Sequence, residues 1–143
     1  ARRPRRERFV DANGYARVRR EGHPRAHFSY LYEHVAIVEA VLGKSLVPPA
    51  EVHHVNGNTA DNRHGNLVVC EDRAYHMLLE RRTRALQGSG HADWLRCVYC
   101  KRWDAATALS VVVRQSPIGH SAGSEAYHKA CAAAYQRRAR RAT

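Results

Sequence analysis

EVHHVNGNTADNRHGNLVVCEDRAYH, residues 51–76, is the stretch whose reading decides the fold of this 143-residue chain. EVHHV (51–55) has the length and branched side chains of a short strand. NGNTADNRHGN (56–66) is a polar loop rich in side chains that bond nearby backbone amides. Leu67 to Val69 can return as a second strand, and Asp72 can cap a helix running to about Arg84. In that helix Tyr75, Leu78 and Leu79 are expected to face inward, and Arg81, Arg82 and Arg84 outward. The order strand, long polar loop, strand, helix predicts an α+β fold in which a hairpin lies against a helix.

Four polar residues dominate this stretch: His53, His54, Asn62 and His76. A hairpin folded on a helix can gather them around one cation. Hydrolysis of a phosphodiester needs a base of near-neutral pKa, and imidazole, at about 6.5, fits. It also needs a positive centre for the charge that builds on the phosphate and the leaving oxygen. Adjacent residues of a regular strand point oppositely, so His53 and His54 can serve one site only if the strand twists strongly or ends there. Spacing alone leaves open which of the two is the base. The alternative for these histidines is a closed structural zinc site, or satisfied polar groups in a small hairpin.

Upstream, Ser29 to Leu42 reads as a helix. Ser29 is its cap, Leu31, Val35, Val38 and Leu42 form its apolar stripe, and Gly43 is its stop. His34 sits beside that stripe, as packing or as a substrate contact. Phe9 to Arg20 reads as a hairpin turning at Asn13-Gly14, with Arg17 and Arg19 on one face toward a phosphate backbone. Residues 1–8 form a basic arm holding five arginines.

Residues 9–86 are expected to be one domain, with a boundary at Gln87 to Gly90 and a second module over 91–143. In the second module, Cys97-Val98-Tyr99-Cys100 and His128-Lys129-Ala130-Cys131 are two half-sites for one tetrahedral zinc ion. His120 is the rival fourth ligand, but it stands alone in PIGHSAGS, so His128 is preferred. With little aromatic core there, zinc is expected to supply much of the folding free energy. Trp94 and Trp103 read as core rather than as base-stacking platforms, and Cys70 as a small buried filler. A terminal helix is expected from near Tyr127, carrying Arg137, Arg138, Arg140 and Arg141 toward phosphates.

Lysine and arginine total 24 against 13 acidic residues, a formal net charge of +11, which favours a polyanionic partner. Charge does not separate DNA from RNA or an anionic membrane. No apolar stretch approaches the roughly 18 residues of a membrane span, so no span is expected, and a membrane is not among the expected partners. ARRPRRERF lacks a following apolar segment and does not read as a secretory signal. Three of the four cysteines fall in the metal-like pattern, which suits a reduced intracellular protein.

EVHHVNGNTADNRHGNL followed by EDRAYH resembles the HNH endonuclease family, in particular its phage-type and homing-type members, and YLYEHVAIVEAVLGKSLVPPA (30–50) resembles the segment leading into that motif. The likeness spans roughly residues 9–84. It implies a ββα-metal core that cleaves or nicks double-stranded DNA with one divalent ion, leaving 5′-phosphate and 3′-hydroxyl ends. It implies His54 as general base, His53 and His76 as metal ligands, Asn62 as the brace of the loop, and Asn66 as the residue fixing the turn into the second strand. Many relatives have Asp where this chain has His53, which widens the expected activators from Mg²⁺ to Mn²⁺, Co²⁺ or Ni²⁺. A monomer with one such centre is expected to nick. The rival readings are a non-catalytic DNA-binding zinc protein and an RNA-directed nuclease.

Overall fold

Asn13-Gly14 turns the chain as its sequence demands. The carboxylate of Asp11 accepts the backbone N–H of Asn13 (3.0 Å) and Tyr15 (3.1 Å), and Gly14 takes φ +83°. In the computed structural model, which describes residues 6–113 and 124–142, this turn joins β1 (Arg8–Val10) to antiparallel β2 (Ala16–Arg19). The chain divides into two units, Ala1–Glu80 and Arg81–Thr143.

In the first unit the hairpin gains a third strand. β3 (Tyr30–Tyr32) pairs with β2, setting Leu31 opposite Val18. The helix expected from Ser29 therefore starts later, as α1 (Glu33–Leu42). Ser29 is no cap: Phe28 and Ser29 lie at φ 50° and 70°, in a tight turn closed between His27 and Tyr30. Tyr-Leu-Tyr suits a pleated surface, and pairing with β2 outweighs the helical spacing of Leu31. Gly43 ends α1 in the left-handed conformation, at φ 65°. Leu31, Val35, Val38, Leu46 and Val52 form the buried core, with Tyr32, Ala36, Ala50 and Leu67 packed on it. Leu42, counted in the expected stripe, is exposed.

β4 (Glu51–His54) pairs antiparallel with β5 (Leu67–Cys70), His53 opposite Val68 and His54 opposite Leu67. Asn66 fastens the intervening loop: its carbonyl accepts from the Asn56 amide (2.9 Å) and its NH₂ donates to the Asp61 carbonyl (2.7 Å). Cys70 is fully buried. α2 (Arg73–Ser89) follows, Asp72 accepting the Tyr75 N–H at 2.8 Å as its cap. The face of α2 differs from the expected one. Tyr75 and Leu78 are exposed, whereas His76, Leu79 and Glu80 are half-buried, because the strand beside them offers polar His53 and Glu51 rather than an apolar surface.

The second unit holds two short antiparallel pairs, β6 (Leu95–Arg96) with β7 (Trp103–Asp104), and β8 (Ser110–Val113) with β9 (Ser124–Tyr127). The Val98 N–H donates to the Ala126 carbonyl at 2.9 Å, tying the first pair to β9. α3 (Lys129–Arg141) begins after Tyr127, which belongs to β9 instead of opening the helix. Gly88 near the end of α2 lies against the Trp103 indole so closely that a Cβ would meet Nε1 at 2.3 Å. Trp94 stacks on His91, ring centroids 4.2 Å apart. His120 and the arginines of residues 1–5 lie outside the described residues.

Candidate active site

β4 solves the geometric difficulty of adjacent histidines by ending at His54. Both rings are buried, 2% exposed for His53 and 5% for His54, and they meet different neighbours. His53 faces α2. Its Nδ1 lies 3.7 Å from Glu80 Oε1, and its ring centroid is 5.5 Å from that of His76. His76 Nε2 is 4.0 Å from the same Glu80 oxygen. One donor atom from each of His53, His76 and Glu80 falls within 4.8 Å of the others. Two nitrogens and one oxygen at these separations surround a point that a divalent cation can occupy, with metal–ligand distances of about 2.0 to 2.2 Å after small side-chain adjustments. Burial is the main cause holding the His53 pKa below its ordinary value, and the neighbouring His76 and His54 act in the same direction against Glu80. That keeps the ring in the neutral form a metal needs.

Glu80 was not among the residues expected from sequence. Its signal was the four-residue step from His76, which puts both side chains on one face of a helix. Glu51 was missed as well: its Oε2 accepts from His76 Nδ1 at 2.5 Å, while Arg73 lies 3.6 Å from its Oε1.

His54 belongs to a second set. Its Nε2 lies 2.9 Å from Asn62 Oδ1, Asn62 Nδ2 donates to Glu33 Oε2 at 2.7 Å, and Arg8 grips both Glu33 oxygens at 2.6 and 2.9 Å. Tyr15, Tyr32 and His34 wall this set. His34 stacks on Tyr32 (5.2 Å, 13°) and meets His54 edge-on at 5.0 Å, with Tyr15 6.2 Å from His54. Burial, then the nearby His54, pushes the His34 pKa down to about 4. Its Nδ1 is buried without a hydrogen-bond partner among the described residues. Burial, then Glu80, raises the Tyr15 phenol. His53, His54, Asn62 and His76 are thus joined to residues not expected from sequence, among them Tyr15, Glu33, Glu51 and Glu80.

A strand-loop-strand-helix segment with paired histidines, a bracing asparagine and a helical histidine is now in place. Residues 31–77 match the family described as HNH endonuclease. This HNH-type region runs from within β3 into α2 and includes His53, His54, Asn62 and His76, but stops short of Glu80. No curated protein and no solved structure matches the chain.

In the second unit, donor atoms of Cys97, Cys100, His128 and Cys131 all lie within 4.8 Å of one another. His128 Nδ1 is 3.4 Å from Cys100 Sγ and 3.8 Å from Cys131 Sγ. Three sulfurs and one imidazole nitrogen so arranged fit tetrahedral zinc, whose sulfur ligands sit at about 2.3 Å. Burial opposes ionisation of Cys97, but backbone amides from Cys100, His128 and Tyr99 prevail and bring its pKa down to about 6. Asp104 Oδ2 stands 3.3 Å from His128 Nε2, orienting the ring.

The arginines divide. Arg17 is held by Asp11 at 2.8 Å and by the Tyr32 hydroxyl, and lies over the Tyr32 ring; Arg19 pairs with Glu7 and Glu21. Both are therefore engaged in holding the sheet. Arg81, Arg82, Arg84, Arg137, Arg138, Arg140 and Arg141 are exposed. No helix among the described residues is long and apolar enough to cross a membrane.

Proposed function

We propose that this protein is a divalent-metal-dependent endonuclease of double-stranded DNA. The observation that carries the reading is a His53, His76, Glu80 cluster beside a buried His54 held by Asn62, with every one of these residues except Glu80 inside the HNH-matching region. His53, His76 and Glu80 would hold the ion. When bound, a divalent ion there supplies positive charge to the phosphate and the departing 3′ oxygen. Glu80 adds a hard oxygen ligand to two imidazoles, a mixed set that admits Mg²⁺ and Mn²⁺ as well as Co²⁺ or Ni²⁺.

His54 takes a proton from the attacking water, and Asn62 keeps its ring in register. The products are a 5′-phosphate and a 3′-hydroxyl. One such centre cuts one strand, so the monomer nicks. Arg81, Arg82 and Arg84 on α2, and the arginines of α3, hold phosphates. Arg17 and Arg19 contribute less to that grip, being ion-paired. The Cys97, Cys100, His128, Cys131 set binds structural zinc in a reducing, intracellular setting.

The test is to incubate the purified protein with duplex DNA, single-stranded DNA and RNA under each of the four ions and to analyse product ends. Metal-dependent cuts in duplex DNA with 5′-phosphate ends support the reading. Cleavage of RNA alone makes it an RNA nuclease, and binding without cleavage under all four ions makes it a non-catalytic zinc protein.

A further inference from the structure

The chain of contacts from Arg8 to His54 fixes more than a position. Glu33 is only 18% exposed, and an ionised carboxylate can only accept hydrogen bonds. Arg8, the largest cause, and then Asn62 hold its pKa below the ordinary value against the effect of burial. The Asn62 amide must therefore turn its NH₂ to Glu33 and its carbonyl to His54 Nε2. A carbonyl also only accepts, so Nε2 has to carry a proton, and in the neutral ring Nδ1 is then the nitrogen with the lone pair. Reversing the amide would set its oxygen against the Glu33 carboxylate and would move the His54 proton to Nδ1. The charge-assisted bonds at Glu33 oppose that reversal.

We propose that Glu33 is a positioning residue that sets the tautomer of His54 through Asn62, with Arg8 at the root of the basic arm holding the carboxylate in place. The catalytic consequence rests on the nuclease reading above; the tautomer does not. Glu33 never needs to touch the substrate. It selects which nitrogen of His54 can accept a proton from water, and Nδ1 is the nitrogen it leaves basic.

The experiment is ¹⁵N NMR of the histidine rings at pH 7.5 in the full chain, with steady-state cleavage beside it. The wild type should show His54 as the Nε2–H tautomer. Glu33→Ala, and Glu33→Met, which keeps bulk without an acceptor, should each show a tautomer mixture. Both should lose about 10-fold or more in kcat at unchanged KM and metal affinity, the scale of losing a group that orients a catalytic side chain. Glu33→Gln retains a carbonyl that can accept from Asn62 and should restore both readouts to within a few fold. An Nδ1–H tautomer in the wild type overturns the proposal, as does an unchanged tautomer and kcat in the alanine and methionine variants. A wild type that never cleaves ends the nuclease reading, while its ring tautomer still decides this one.

Discussion

His76 donates its Nδ1 proton to Glu51 Oε2 at 2.5 Å, which leaves its Nε2 lone pair turned toward Glu80, 4.0 Å from Oε1. A carboxylate behind an imidazole fixes the ring and raises its basicity as a ligand. Glu51→Gln should weaken divalent-ion affinity by about 10- to 100-fold, and Glu80→Ala at least as much, with cleavage recovered at raised ion concentration. Calorimetric titration of Mn²⁺ into the zinc-loaded protein checks both. Wild-type affinity in Glu80→Ala would remove that carboxylate from the site.

His34 predicts a pH dependence of stability. Its folded pKa of about 4 lies below the ordinary histidine value of 6.5, because burial and then the charges of His54, Arg25 and His76 disfavour its protonated form, against a smaller opposing effect of Glu33. The unfolded chain therefore takes up this proton first. The contribution is intact above about pH 6.5 and is lost as the pH falls toward 4, a change of about 3 kcal/mol at most. His34→Phe retains an aromatic face for Tyr32 and should flatten the curve over that window relative to wild type. Denaturant unfolding from pH 7 to 4 gives the comparison, and parallel curves would show that His34 does not titrate with folding.

Removal of zinc should act on the second unit. Its apolar burial is thin: among its described residues only Ala85, Cys97 and Ala126 are buried hydrophobics. Cys97→Ser, or a strong zinc chelator, should lower the zinc content by one ion per chain. It should also expose residues beyond Glu80 to proteolysis, since metal binding in such small modules is folding free energy. A protease pattern unchanged after verified zinc loss would contradict this.

The arginines of α3 are expected to act through phosphates. Replacing Arg137, Arg138, Arg140 and Arg141 with Gln should reduce the slope of log affinity against log salt by up to about 3 to 4, roughly one counterion per lost contact. Fluorescence anisotropy on a duplex over a range of salt concentrations reads the slope. No change would mean that these charges do not meet the phosphates.

The β4-loop-β5-α2 segment was legible because its signals are local: branched strand residues, Asx-rich turns and the Asp72 cap. The same holds for Cys97, Cys100, His128 and Cys131, whose spacing carries their chemistry. What escaped the sequence depends on distant pairing. Tyr30 to Tyr32 carry part of a helical stripe, and only the neighbouring β2 makes them a strand. Glu33 lies 29 residues from Asn62, so no spacing rule connects them. Tyr75 and Leu78 looked like an inward face because apolar periodicity assumes an apolar neighbour, whereas α2 meets a strand bearing Glu51 and His53.

A supercoiled-plasmid assay with Mn²⁺, run on wild type and His54→Ala with bound Mn²⁺ quantified in the same samples, reaches the centre of the account. The wild type should convert supercoiled DNA to the nicked form. His54→Ala should keep its ion and its DNA affinity yet lose about 100-fold or more of that rate, the usual worth of a general base. Nicking by His54→Ala at the wild-type rate, or a wild type that holds Mn²⁺ and duplex together without cutting, would contradict a histidine-activated water at this cluster.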